Sequence, residues 1–87
     1  MPGDTIRVVL ADDHTVVRAG LRAVLGTAKD ISVIGEASTG REALALVERL
    51  SPDVLITDLS MPEMDGTETT KAIVAKKLPT KILVLTM

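Results

Sequence analysis

Short apolar runs alternate along this chain with longer stretches in which apolar residues recur every third or fourth position. Four runs read as strands: Ile6–Ala11, Ile31–Ala37, Val54–Asp58 and Ile82–Thr86. Three amphipathic stretches between them predict helices. The first runs from His14–Thr15 to Leu25, with Val17, Leu21, Val24 and Leu25 on one face, Arg18 and Arg22 on another, and Gly26 closing it. The second opens at Thr39 and Glu42, spaced as a capping box, and carries Ala43, Leu46, Val47 and Leu50 as its apolar stripe. Ser51-Pro52 breaks it, because the residue before a proline disfavours helix. The third starts at a second capping pair, Asp65 and Glu68, runs towards Lys77 and is stopped by Pro79. Thr67, Thr69 and Thr70 give it the poorest helix propensity of the three.

Strands alternating with helices at this spacing predict an α/β fold with a parallel sheet and right-handed crossovers. The chemistry then gathers at one edge. Asp12 and Asp13 end the first strand and Asp58 ends the third. Ligands bind outside the carboxyl ends of strands in such sheets. The three carboxylates meet only if the first and third strands are neighbours, which the order 2-1-3-4 achieves, with the switch point between those two strands. Carboxylates ~4–5 Å apart repel by roughly 3–4 kcal/mol per pair at an effective dielectric near 20. A hard divalent cation offsets that repulsion, and Mg²⁺ takes one or two carboxylates, waters and a phosphate oxygen.

Composition narrows the field. With 87 residues the chain is one small domain, and without Phe, Trp or Tyr its core is aliphatic. A net charge of −2 argues against a nucleic-acid surface on this segment. The absence of cysteine removes disulfides, thiolate metal sites and cysteine nucleophiles, and is compatible with a reducing cytoplasm. No apolar run approaches the ~20 residues of a membrane span, and no signal peptide is evident.

Two segments carry a resemblance: Ile6-Arg7-Val8-Val9-Leu10-Ala11-Asp12-Asp13-His14-Thr15-Val16-Val17-Arg18, and Asp58-Leu59-Ser60-Met61-Pro62-Glu63-Met64-Asp65-Gly66. Together with Thr80–Thr86 they resemble the receiver domain of a bacterial two-component response regulator, of the NarL/FixJ (LuxR-type) subfamily. The resemblance implies the flavodoxin-like receiver topology and assigns roles by position. Asp58 would be the phosphoacceptor and Asp13 a direct Mg²⁺ ligand. Asp12 would hold the ion directly or through water, the backbone carbonyl of Ser60 would be a further ligand, and Thr86 would be the switch hydroxyl. A histidine kinase would be the phosphoryl donor, and DNA would be reached only through an output domain outside this chain. The protein would be cytoplasmic, without a membrane partner. A complete receiver also has a fifth strand and two further helices, with a Lys after that strand, so residues 1–87 are read as a partial receiver domain. Lys81 stands at the amino end of the fourth strand and cannot replace that Lys. The open edge of the fourth strand suggests a homodimer or other self-association.

Each feature has a plainer reading. The Asp12–Asp13 pair alone could be a solvated turn or a helix cap, and Asp58 a strand-end residue; their combination with the loop motif favours the site. His14 could be a ligand or proton carrier, but a lone histidine at a helix start is usually solvated. Met61 and Met64 suit packing. Lys71, Lys76, Lys77 and Lys81 suit a solvated charged region. Competing functions are a stand-alone receiver acting as a phosphate sink, and a Mg²⁺-dependent phosphohydrolase with an aspartyl nucleophile. The latter class carries a second Asp where this chain has Ser60. A nucleotide- or flavin-binding module ranks last, because the first strand leads into Asp12-Asp13-His14-Thr15 rather than a glycine-rich turn.

Overall fold

Residues 5–85 are described by a computed structural model. The elements are β1 (Ile6–Ala11), α1 (Thr15–Leu25), β2 (Ile31–Ala37), α2 (Gly40–Leu50), β3 (Val54–Asp58), α3 (Gly66–Ala75) and β4 (Lys81–Leu85). They form one parallel sheet in the order β2-β1-β3-β4, as the strand-end carboxylates predicted. The β1–β3 register pairs Ala11 with Thr57. The next residues along both strands are Asp12 and Asp58, so this register alone brings the two carboxylates to one edge.

Packing is uneven across the sheet. α2 and α3 share one face, where Val9, Ala11, Ala37, Ala43, Val47, Leu55, Met61 and Ile73 form the core. Val8 and Leu10, on the opposite face of β1, are equally buried, so from Val8 onwards this strand is apolar on both faces as a central parallel strand should be. α1 packs against β1 and β2 but buries no residue completely. The apolar face expected from Val17, Leu21, Val24 and Leu25 is therefore only partly realised: Val24 is 68% exposed. The reason is topological. α2 and α3 press on each other as well as on the sheet, whereas among the described residues α1 packs chiefly on β1 and β2. At the far side β4 pairs only with β3 among the described residues, and Leu83 and Val84 remain exposed.

The helix ends follow local chemistry with three departures. Asp65 and Glu68 form a complete capping box: Glu68 N–H donates to Asp65 at 2.8 Å, and Asp65 N–H donates to Glu68 at 3.1 Å. At α2, Thr39 accepts from Glu42 N–H, but the Glu42 carboxylate accepts from Ser38 N–H and Oγ–H instead of closing the box. Gly26 closes α1 in right-handed backbone (φ −65), so no left-handed glycine cap is used. α3 ends at Ala75, short of Lys77. There Lys77 takes a positive φ of 55 while Leu78 N–H reaches back to Ile73 O, a Schellman closure without glycine. Within α3, Thr69 and Thr70 donate their hydroxyls to Asp65 O and Gly66 O, so these poor helix formers are held locally.

Candidate functional site

The carboxyl ends of β1 and β3 carry the site. Asp12, Asp13, His14 and Asp58 each offer an atom, and these atoms all lie within 4.8 Å of one another. Asp12 and Asp58 are buried, at 4% and 7% exposure, while Asp13 and His14 face solvent. The three aspartates singled out from the sequence are thus brought together. Ser60 lies two residues beyond Asp58 in the exposed loop after β3. Leu85 pairs in register with Asp58, and Thr86, the expected switch residue, lies outside the described residues. Lys81 pairs with Val54, at the opposite end of β3 from Asp58.

His14 belongs to the cluster more closely than a solvated helix start would. Its backbone N–H donates to Asp12 Oδ1 at 2.8 Å, and its ring Nδ1 lies 2.8 Å from the same oxygen and 3.0 Å from Asp13 Oδ1. The hydrogen bond to Asp12, followed by the charge of Asp13, raises the imidazole above its ordinary pKa of 6.5. Protonated His14 is a countercharge for the carboxylates.

Beneath the cluster lies a group that sequence reasoning left as a polar helix face. Arg18 donates from Nη1 to the backbone oxygen of Asp12 at 2.6 Å and from Nε to Glu36 at 3.3 Å. Arg22 donates to the other Glu36 oxygen. The Arg22 hydrogen bond is the main reason the Glu36 carboxyl sits below the usual carboxylate range, with Arg18 adding to it. Only the β1–β2 pairing reveals this: Leu10 pairs with Glu36, a contact between residues far apart in sequence.

Two glycines shape the loop after β3. A Cβ on Gly66 would stand 2.5 Å from Asp58 O, and Gly66 N–H donates to Leu59 O at 2.8 Å. A Cβ on Gly40 would overlap the Met64 carbonyl and the Thr69 hydroxyl. Met61 is buried in the core and pins the middle of the loop, in keeping with its expected packing role.

The donor set fits a hard divalent cation. Three of its four donors are carboxylates, those of the buried Asp12 and Asp58 among them, at a spacing where mutual repulsion favours a positive charge. No thiolate is present to favour a softer metal.

A profile of the response regulator receiver domain matches residues 8–87. This chain belongs to the response regulator receiver family. The transcriptional regulatory protein LiaR of Bacillus subtilis is 54% identical over 81 residues, 93% of this chain but 38% of its own length. This chain therefore spans well under half the length of that curated relative. Among solved structures, the signal receiver domain of the putative response regulator NarL from Mycobacterium tuberculosis superposes with a TM-score of 0.93 at 37% identity, covering 95% of this chain and 67% of that one. RcsB from Salmonella enterica serovar Typhimurium, solved bound to a promoter in the presence of the phosphomimetic BeF3⁻, superposes with a TM-score of 0.86 at 36% identity, covering 95% of this chain and 43% of that one. The receiver resemblance read from the strand-end motifs is thereby established, as is its LuxR-type kinship. Among the described residues no helix is long and apolar enough to cross a membrane.

Proposed function

We propose that this receiver, acting in the cytoplasm, accepts a phosphoryl group on Asp58 from a histidine kinase, with Mg²⁺ held by Asp12, Asp13, Asp58 and the Ser60 carbonyl. The observation that carries the reading is the buried Asp58 carboxylate gathered with Asp12 and Asp13 at one sheet edge. An Asp58 oxygen attacks the phosphorus of a phosphohistidine in line; the new O–P bond forms as the P–N bond breaks, and the electron pair leaves with the imidazole. Mg²⁺ would supply neutralisation of the charge that accumulates on the phosphoryl oxygens. Asp12 and Asp13 hold the site open to that ion, and Gly66 keeps the loop folded tightly against Asp58. The phosphoryl group then adds about −1.5 to −2 charge and three strong acceptors, to which Thr86 would donate as the switch hydroxyl.

The reading extends to an output. Its relatives' names support a DNA-binding domain elsewhere in the parent protein, so that phosphorylation would regulate transcription. Self-association through the exposed apolar edge at Leu83 and Val84 belongs to the same proposal.

The test is intact mass after incubation with phosphoramidate and MgCl₂. The expected result is one retained phosphoryl group per chain, absent with EDTA and absent in Asp58→Asn. Continuous release of phosphate without a retained adduct would instead indicate a hydrolase and overturn the proposal.

A further inference from the structure

Asp12 is held from two sides. Its N–H donates to Ala37 O at the end of β2, at 3.0 Å, and its carbonyl accepts from Arg18 Nη1 at 2.6 Å. The Arg18 side chain is only 18% exposed and is itself fixed by Glu36, which Arg22 also holds. Its main chain closes the same circuit, since Arg18 N–H donates to His14 O at 3.0 Å. We propose that Arg18 is a positioning residue for the acidic cluster: it clamps the Asp12 peptide, and so aims the Asp12 and Asp13 carboxylates at the cation. The inference rests on the cation-site reading of that cluster.

Charge and geometry make opposite demands here. A guanidinium next to a cation site repels the cation, so Arg18 acting only as a charge weakens Mg²⁺ binding, and its removal would tighten it. Acting as a clamp, it strengthens binding, and its removal loosens it. The planar fork serves two acceptors lying in different directions, the Asp12 carbonyl and Glu36, which a lysine's point charge does not reproduce.

The experiment is calorimetric titration of the same chain with MgCl₂, comparing wild type with Arg18→Met, Arg18→Lys and Glu36→Gln. Arg18→Met should bind about tenfold more weakly, the scale set by groups that orient metal ligands. Arg18→Lys should weaken binding despite keeping the charge. Glu36→Gln should weaken it less, and combining it with Arg18→Met should add little, because both act through one contact. Equal or tighter binding by Arg18→Met overturns the proposal. A second readout needs no metal: amide exchange at Asp12 and His14 should accelerate in Arg18→Met while Val47 and Ile73 in the core stay protected. Unchanged exchange at Asp12 and His14, or equal acceleration in the core, also overturns it. If wild type binds no Mg²⁺, the cation-site reading fails, and the exchange data still decide whether Arg18 holds the turn.

Discussion

Replacing Asp58 by Asn should make the metal-free protein more stable while abolishing phosphorylation. The cluster atoms lie within 4.8 Å of one another. At an effective dielectric near 20, two charges at that distance repel by about 3 kcal/mol. Asp12 and Asp58 are both buried, so their repulsion is little screened. The Asp13 side chain is 35% exposed, and its share is discounted towards the ~0–1 kcal/mol of surface pairs. His14 offsets some of this when protonated, and because its pKa is raised above 6.5 the experiment belongs well on the alkaline side. A net gain of about 2 kcal/mol is expected, which in a chain of this size lifts Tm by about 10 °C. The assay is thermal melting followed by circular dichroism in EDTA. High salt should remove only the Asp13 share of the gain, since exposed charges are screened within about 3 Å at 1 M while the buried Asp12–Asp58 pair is not. Mg²⁺ should then reverse the ranking. Wild type gains about 2.7 kcal/mol at a hundredfold excess over Kd, so the ranking reverses once the variant, lacking a ligand, gains less than about 0.7 kcal/mol. An Asp58→Asn protein that melts no higher than wild type in EDTA would refute the electrostatic reasoning.

Two glycines offer a paired test. Gly40→Ala drives a Cβ into the Met64 carbonyl and should cost about 1–3 kcal/mol in urea melts. Gly20→Ala, inside α1 with nothing within 4 Å of the added carbon, should stabilise by about 0.5–1 kcal/mol; equal effects at both sites would contradict the packing described. Glu36 predicts part of the acid limb. Its folded-state pKa lies below 4.5, so its contribution is fully present above that value and is lost as pH falls through the lowered one. Urea midpoints measured from about pH 5 down to pH 3 should therefore fall less steeply in Glu36→Gln than in wild type, and parallel curves would refute the assignment.

The local pattern of the sequence determined most of the frame. Strand limits such as Ile6–Ala11 and Val54–Asp58 were legible because a central parallel strand is apolar on both faces and stops where carboxylates begin. The start of α3 was legible because Asp65 and Glu68 satisfy backbone donors within one turn of chain. The gathering of Asp12, Asp13 and Asp58 at one edge was legible because the carboxyl ends of neighbouring parallel strands share that edge. The departures arose where local partners compete or where coverage depends on the rest of the fold. Glu42 turned to Ser38, a neighbour outside the box that the spacing suggested. Val24 stayed exposed because periodicity marks an apolar face but does not say how completely the fold covers it. Only tertiary structure decided that Arg18 reaches under Asp12, that His14 joins the carboxylates, and that Gly40 must leave room for Met64. The β1–β3 register set the Asp12 and Asp58 carboxylates side by side, and register is a property of paired strands, not of either strand alone.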